Sequence, residues 1–441
     1  MRKIEKAPNW FNEKLYNEAL KIKAKYELDD LIRNINNDYL YWDKIKHKKY
    51  SNNIDPQILW TIVKLSRVMT AKSVKICNQT FKYNTTDYIQ KGLHEFDLNF
   101  GGSLSSENII SEEEKKRILV SSIMEEAIAS SQIEGAVTTR KKAKEMLRKN
   151  KKPVNKSEQM IMNNYLTIKH IVEIKNEPIT IDKLFEIHQL ITHKTLDDAN
   201  DEGKYRDNNE VNVVDAIDGE IVHFPPSFEK VPELMTELFH FFNENDDDNF
   251  IHPIVKACII HFLIGYIHPF VDGNGRTARA LFYWYLLKSG YWLTEYLSIS
   301  RLIVKSKTQY ALAYLYSETD DNDLTYFIHF KIKIMLSAYD DLKKYLQRKM
   351  KEKIQLNEFQ RIDNINERQA LILKWIYDEP GLTLTVKEIQ VRFNISNQTA
   401  RTDLELLKEM EFIDVKNINK KTKLFFKSDK FETKMKKYTL L

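Results

Sequence analysis

His268-Pro269-Phe270-Val271-Asp272-Gly273-Asn274-Gly275-Arg276-Thr277-Ala278-Arg279 is the stretch on which the reading of this chain turns. It overlaps an uncharged run from Ala257 to Val271, 15 residues without Asp, Glu, Lys or Arg, which contains His261 and His268. That run is short for a membrane span. It reads as a core helix with Pro253 in its first turn, running to about Ile267, and then a tight loop. A second helix is expected from about Arg276 to Lys288, ended by Ser289-Gly290. Gly273 and Gly275 flank Asn274 just ahead of that helix. Glycines let the backbone turn sharply and expose N–H groups, and with a helix dipole behind them these make an anion site. Arg276 and Arg279 are three residues apart and share a face. Two guanidiniums near an N–H nest suit a polyphosphate. Asp272 offers a hard oxygen to Mg2+, and His268 can take a proton from an attacking hydroxyl. The plainer alternative is an interhelical turn with a helix-capping Asn. The full set of residues is far more specific than glycine spacing alone.

HPFVDGNGR resembles the signature of the Fic family, His-Pro-Phe-x-Asp/Glu-Gly-Asn-Gly-Arg, at every fixed position, and the chain from about 120 to 335 resembles a Fic core. The resemblance implies an α-helical protein that transfers AMP from ATP to a protein hydroxyl. It implies roles for the matching residues. His268 would deprotonate a target Ser, Thr or Tyr. Asp272 would hold Mg2+ on the α- and β-phosphates, which the nest of Gly273, Asn274 and Gly275 would bind. Arg276 would neutralise the β-phosphate side, Arg279 would reach the γ-phosphate, and Phe270 would anchor the loop in the core. Tyr310, in the helix after the core, is a candidate for the adenine pocket, with a core tyrosine as the equal alternative. The related Doc-like kinases place Lys where this chain has Gly275, so Gly275 argues against that branch.

Two further elements match the family. Ser130-Ser131-Gln132-Ile133-Glu134-Gly135 resembles the Fic inhibitory motif, Ser/Thr-x-x-x-Glu-Gly/Asn. Ser130 and Glu134 fall on one helical face. The resemblance implies that Glu134 pairs with Arg279, taking the place of the γ-phosphate's partner and repelling the phosphate itself. The alternative is a surface Glu near a helix C-terminus. The run VNVV (211–214) and the run EIVHF (220–224) flank Asp218-Gly219, a hairpin signal closed by Pro225-Pro226. It resembles the family's flap, where an extended target adds to a strand edge. Ile221, Val222 and His223 are expected to face the target, with His223 a flap surface residue rather than a catalyst.

At the C-terminal end, the segment 367–427 reads as helix, helix, turn, helix and hairpin, the order of a winged helix-turn-helix. Leu371 with Trp375 and Ile372 with Ile376 carry the first helix, with Lys374 pointing to solvent between them. Ser396 caps the third helix, whose Asn397, Gln398, Thr399, Arg401 and Thr402 offer donors to base edges and phosphates. Lys416, Lys420, Lys421, Lys423 and Lys427 cluster on the wing in a phosphate-contact pattern. Both sets also fit a solvated polar face. From residue 361 onward 16 Lys and Arg face 12 Asp and Glu, a balance of +4 that is only mildly basic. DNA and a protein are both open as partners of this module.

The wider chain fits this frame. Its 441 residues carry 42% apolar and 30% charged side chains, an ordinary folded composition that rules out collagenous and low-complexity classes. The net charge of +5 permits nucleotide or nucleic-acid binding without demanding it. Two cysteines, Cys77 and Cys258, cannot build a disulfide framework or a multi-cysteine metal site, and both read as small buried residues. A charged start, MRKIEKAPNWFNEK, shows no secretory signal, so a cytoplasmic protein without a membrane partner is expected. The fold expected is mostly α: an all-helical Fic core with a small β-hairpin flap, followed by a winged helix domain. The divisions drawn are a helical region 1–110, a core 111–335 with the inhibitory helix, a connector helix 336–360 and a winged helix-turn-helix 361–441. Within this frame the leading reading is an autoinhibited adenylyltransferase. A DNA-binding regulator with a nucleotide-sensing core is the alternative, and a phosphotransferase the third. Many family members use dimer contacts, which leaves a homodimer open.

Overall fold

The computed structural model describes residues 4–48, 54–101, 112–214, 219–244, 249–418 and 422–436. Asp218 of the flap turn, and Lys420 and Lys421 of the wing, lie outside the described residues. Two compact units divide the chain, Met1–Leu342 and Lys343–Leu441.

The first unit opens with α1 (Glu13–Lys25), α2 (Asp29–Asn37), α3 (Trp42–Ile45) and α4 (Pro56–Thr70). Pro56 stands where its missing N–H is no loss, and the Asp55 carboxylate accepts from Gln57 and Ile58. The apolar faces of these helices close over Trp42, Leu59 and Trp60 together with Tyr316 and Tyr326 from much later in the chain. Residues 1–110 therefore belong to one unit with the core. They also hold a hairpin absent from the mostly helical reading: β1 (Lys72–Ile76) pairs antiparallel with β2 (Gln79–Tyr83). Val74, Ile76, Phe81 and Tyr83 are buried while Lys72, Ser73, Lys75 and Gln79 are exposed, the alternation of a half-buried ribbon. Cys77 turns the hairpin at φ 50 and is half-buried, which corrects its reading as a core residue; Cys258 is buried as expected.

Helices follow in sequence: α5 (Asp87–Phe96), α6 (Glu112–Ile133), α7 (Arg140–Arg148), α8 (Lys156–Ile174) and α9 (Ile181–Thr192). Thr139, Asn155 and Thr180 cap α7, α8 and α9 through their side-chain oxygens. Strands β3 (Val213–Val214) and β4 (Ile221–His223) form the small flap, with Val213 opposite His223. Then come α10 (Val231–Asn243), α11 (Pro253–Ile267), α12 (Asn274–Lys288), α13 (Ile299–Lys305), α14 (Lys307–Thr319) and the long α15 (Thr325–Gln360). The uncharged run is α11 and its loop, as its composition requires. A helix apolar all round must be central, and α11 is buried along nearly its whole length. It packs on α12, around which α6, α8 and α9 are arranged. Among the described residues no helix is long and apolar enough to cross a membrane.

The second unit contains α16 (Glu367–Asp378), β5 (Thr383–Leu384), α17 (Val386–Phe393), α18 (Asn397–Glu409), β6 (Ile413–Asn417), β7 (Lys423–Lys427) and α19 (Phe431–Met435). The strands lie in the order β5-β7-β6, all antiparallel, which gives the helices a three-stranded wing. Capping boxes open α16 (Asn366 with Gln369) and α17 (Thr385 with Glu388). Ile372, Leu373, Ile376, Leu404, Leu407 and Phe425 meet in its core. The inward face of α16 is thus Ile372, Leu373 and Ile376, with the half-buried Trp375 packed against the same core and Leu371 outside it. Trp375 also stacks on Phe393 at 5.3 Å, under the Arg392 guanidinium. Lys374 does not stand free in solvent; it folds back onto Asp378, one turn on.

Candidate active site

The site is built on the loop between α11 and α12. His268 ends α11 with φ 51, a left-handed conformation that is uncommon for a non-glycine residue. Its N–H closes the helix on the Ile264 carbonyl at 2.9 Å. Its ring Nδ1 lies 3.1 Å from the Gly265 carbonyl. A carbonyl only accepts, so Nδ1 carries the proton and Nε2 keeps its lone pair. Burial pulls this imidazole down to about 4. His268 is therefore neutral at neutral pH and presents an unprotonated Nε2.

Phe270 is fully buried, as its anchor role requires, and stacks on the His188 ring at 3.7 Å. The Asn274 side chain has a part of its own beside the nest. Its amide donates to the Phe270 carbonyl at 2.8 Å and accepts from the Phe270 N–H at 2.9 Å. Both ends of the side chain are spent stapling the loop, so only its backbone can serve an anion. Gly273 is the N-cap of α12 at φ 85, and the helix begins at Asn274, two residues earlier than Arg276. A side chain on Gly275 would run into Glu134 Oε1 and lie 3.3 Å from Arg279 Nη1.

The two arginines share the first turns of α12 but part company in their contacts. Arg276 turns inward: Nη1 donates to the Ile191 carbonyl at 2.9 Å and Nη2 to Asp272 Oδ2 at 3.2 Å. Arg279 faces the end of α6. Nε donates to Ser130 Oγ at 2.8 Å, and Nη2 donates to the Ser130 carbonyl at 3.1 Å and to Glu134 Oε1 at 2.8 Å. Burial works against its charge, but Glu134 outweighs it and the guanidinium is held still more firmly protonated. Glu134 is set by a helix stop. Gly135 at φ 90 lets the Ala136 N–H reach the Ser131 carbonyl at 3.0 Å and the Gly135 N–H the Gln132 carbonyl at 3.4 Å. Tyr310 is half-buried. Its hydroxyl lies 2.9 Å from His261 Nε2, and it is close enough to Arg279 and Glu134 to feel both charges.

Two observations bear on what this cradle can hold. Arg276 Nε and Arg279 Nη1 are buried donors without a hydrogen-bond partner. Orphaned cationic donors beside a glycine nest fit a ligand with many anionic oxygens. The Asp272 side chain is 54% exposed. A lone carboxylate fits Mg2+, which takes its remaining ligands from phosphates and water. Among the described residues no group of three or more His, Cys, Asp or Glu could hold a metal by itself.

On the flap, Ile221 is exposed and Val222 half-buried, but His223 does not face a target. Its Nδ1 lies 2.7 Å from Glu318 Oε2 and its Nε2 2.8 Å from the Tyr266 carbonyl. Both partners only accept, so both ring nitrogens carry protons and the imidazolium pins the flap to α11 and α14. Burial opposes that charge, and the Glu318 carboxylate overrides it and raises the pKa. Two more residues went unread in the sequence. Arg206 is buried; its N–H and Nε reach the Pro269 and His268 carbonyls, each at 2.9 Å, and Nη2 reaches the Pro226 carbonyl. It ties the flap base to the loop. His188 lies under the loop on α9. Each stands singly in its run, GKYR and EIHQL, and nothing in its spacing marks it.

In the second unit, Ser396 caps α18, and Asn397, Gln398, Arg401 and Thr402 are exposed, with Thr399 half-buried. Lys416 is exposed on the wing, but Lys423 is paired with Glu405 at 2.9 Å and Lys427 with Glu432 at 2.5 Å.

A family model described as Fic/DOC family matches residues 178–286, and one described as HTH domain matches residues 368–421. The chain is 38% identical over 121 residues to a protein adenylyltransferase Fic of Nematostella vectensis, across 26% of this chain and 25% of that protein. It is 33% identical over 113 residues to the protein of that name from Drosophila mojavensis, across 26% of this chain and 20% of that protein. The matched segment thus spans a quarter or less of these relatives. A crystal structure of a Fic family protein from Desulfovibrio desulfuricans G20 shares the fold, with a TM-score of 0.50 and 19% identity, over 77% of this chain and 94% of that one. The chain carries a Fic/DOC domain. Joined to it is a C-terminal helix-turn-helix domain.

Proposed function

We propose that this chain is a protein adenylyltransferase held in check by its own Glu134. ATP is the donor and a Ser, Thr or Tyr hydroxyl of a target protein, or of the chain itself, is the acceptor. The observation that carries the reading is His268. It is neutral, with its proton fixed on Nδ1 by the Gly265 carbonyl, and it stands at the head of a glycine nest. His268 Nε2 takes the proton from the hydroxyl as its oxygen bonds to the α-phosphorus. The bond from that phosphorus to the bridging oxygen breaks, and pyrophosphate leaves. The N–H groups of the nest and the guanidiniums of Arg276 and Arg279 hold the phosphate oxygens on which charge builds. Mg2+ on Asp272 would neutralise phosphate charge when bound. Ile221 and Val222 on the flap edge present backbone to an extended target.

Glu134 supports the restrained form of this reading. It takes up Arg279, the cation the γ-phosphate needs, and puts a carboxylate where that phosphate would lie. The test is transfer from α-³²P-labelled ATP, comparing the native chain with Glu134→Gly. Labelling of protein only in the variant supports both activity and restraint. Equal labelling removes the restraint. Label moving from γ-³²P-ATP instead would make the protein a phosphotransferase.

The helix-turn-helix match and the exposed face of α18 favour a second reading for the other unit, recognition of DNA in a regulator whose core senses nucleotide. Binding of genomic fragments at stated salt, with and without ATP, tests it. A protein docked on the same face, a homodimer and a cytoplasmic setting complete the proposed context.

A further inference from the structure

We propose that His188 is a positioning residue that sets the Asp272–Gly273 peptide plane before any ligand arrives. The ring is wholly buried on α9. The Gly203 N–H donates to its Nδ1 at 3.0 Å, which assigns the lone pair to that nitrogen. Nε2 therefore carries the proton and donates it to the Asp272 carbonyl at 2.9 Å. In a trans peptide the C=O and the following N–H point opposite ways. Holding the Asp272 carbonyl down onto α9 thus turns the Gly273 N–H up, on the side of the Asp272 carboxylate, whose Oδ1 it meets at 2.5 Å.

The hold matters because of the glycine it precedes. Gly273 stands at φ 85, and glycine visits both signs of φ readily. The backbone alone does not favour one orientation of this plane. The loop also rests directly on α9: a side chain on Gly273 would meet Thr192 at 2.8 Å and His188 Nε2 at 3.3 Å. The stack of His188 on Phe270, 9° from parallel, keeps the imidazole edge aimed at the carbonyl. One ring thereby joins three parts of the chain: the turn at Gly203, the anchor Phe270 and the first peptide of the nest.

The test separates the ring from its hydrogen bonds. His188→Phe keeps a flat ring on Phe270 and loses both bonds. His188→Gln keeps one acceptor and one donor. In the ligand-free full chain, amide exchange across residues 269–276 should quicken by about tenfold in the Phe variant, the equivalent of one hydrogen bond, and return towards native in the Gln variant. The second arm rests on the adenylyltransferase reading and uses Glu134→Gly as parent. There His188→Phe should raise the KM for ATP by about tenfold with a smaller change in kcat, rescued by Gln. Native exchange rates and native KM in the Phe variant would overturn the proposal. A parent that transfers no AMP would sink the enzymatic reading, and the exchange arm would still decide this one. If the Phe variant does not fold, His188→Met against His188→Gln carries the same comparison.

Discussion

At the start of α12 the cations are buried and individually held; at the start of α18 they stand in solvent. Arg276 and Arg279 are each 2% exposed, and Arg279 alone draws three acceptors from the end of α6. Arg401 is exposed, and two of the lysines expected to meet phosphate are matched by Glu405 and Glu432 from their own unit. Burying a guanidinium is costly unless its donors are used, so a fold that does this and leaves Nε and Nη1 orphaned is shaped for something else to supply the oxygens. An exposed cation costs little and says correspondingly little. Glu134 follows the same logic from the acidic side. It caps the C-terminus of α6, the end of a helix dipole that disfavours a carboxylate.

The sharpest way to break this contrast is at His268. Removing a general base typically costs about 10²–10⁴-fold in rate. His268→Ala in the Glu134→Gly chain should lose AMP transfer by that order while ATP binding, read by calorimetry, stays close to the parent's. Transfer retained would remove the base role. Gly275→Ala should come next in size. The added methyl must displace Glu134 Oε1, the far end of a flexible side chain, so the fold should survive and the Arg279 pair should not. Glu134→Gly should then stimulate transfer several-fold less in the Gly275→Ala background than in the native one, because the carboxylate has already moved. Full stimulation in both backgrounds would mean that Glu134 does not act through the space above Gly275.

How far the sequence carried this reading follows from the same contrast. The loop was legible because eight fixed positions in a run of nine matched one pattern, and the Ser130–Glu134 motif because helical spacing put both on one face. His188, Arg206 and the inward turn of His223 were not. Each acts through contacts to backbone groups or, for His223, a carboxylate distant in sequence, and no local spacing encodes those. The part played by the Asn274 side chain was not legible either, because both of its partners are backbone groups of Phe270. In the first 110 residues the alternation of Val74, Ile76, Phe81 and Tyr83 was present, but Cys77-Asn78 is not a turn pair that announces itself.

Acidification should separate the two units by a smaller margin. All 11 histidines lie before Lys343. Burial lowers His188 and His268 to about 4 and takes His261 well below its ordinary value. Their folded pKa values lie below the unfolded value near 6.5, so the stability they lend is complete above about 6.5 and is lost as pH falls towards 4. Each proton taken up only on unfolding costs about 1.4 kcal/mol per pH unit over that range. His223, raised by Glu318, runs the other way and offsets part of this. Between pH 7 and pH 5, amide protection in α9, α11 and α12 should fall while protection in α16 and α18 holds. An equal fall in both units would show that the buried imidazoles do not govern the acid response.

The smallest effect expected is on the wing, and it bears on whether the exposed cations have a partner at all. Glu405 lies on α18 itself and occupies Lys423 on β7. An exposed pair of this kind contributes little to stability, so Glu405→Gln should leave the melting temperature within a degree or two. It nevertheless frees Lys423 on the wing, and with it Lys408, which the same carboxylate meets at 3.6 Å. If that face binds DNA, the variant should gain a few-fold in affinity at low salt, with a steeper loss of affinity as salt rises, because one more phosphate is neutralised. Arg401→Ala should lose affinity in the same assay. A native and a Glu405→Gln chain that bind equally at every salt concentration would mean that Lys423 meets no phosphate. Equal failure of both to bind would turn the exposed face of α18 towards a protein partner, and the contrast with α12 would then be one of ligand class as well as of burial.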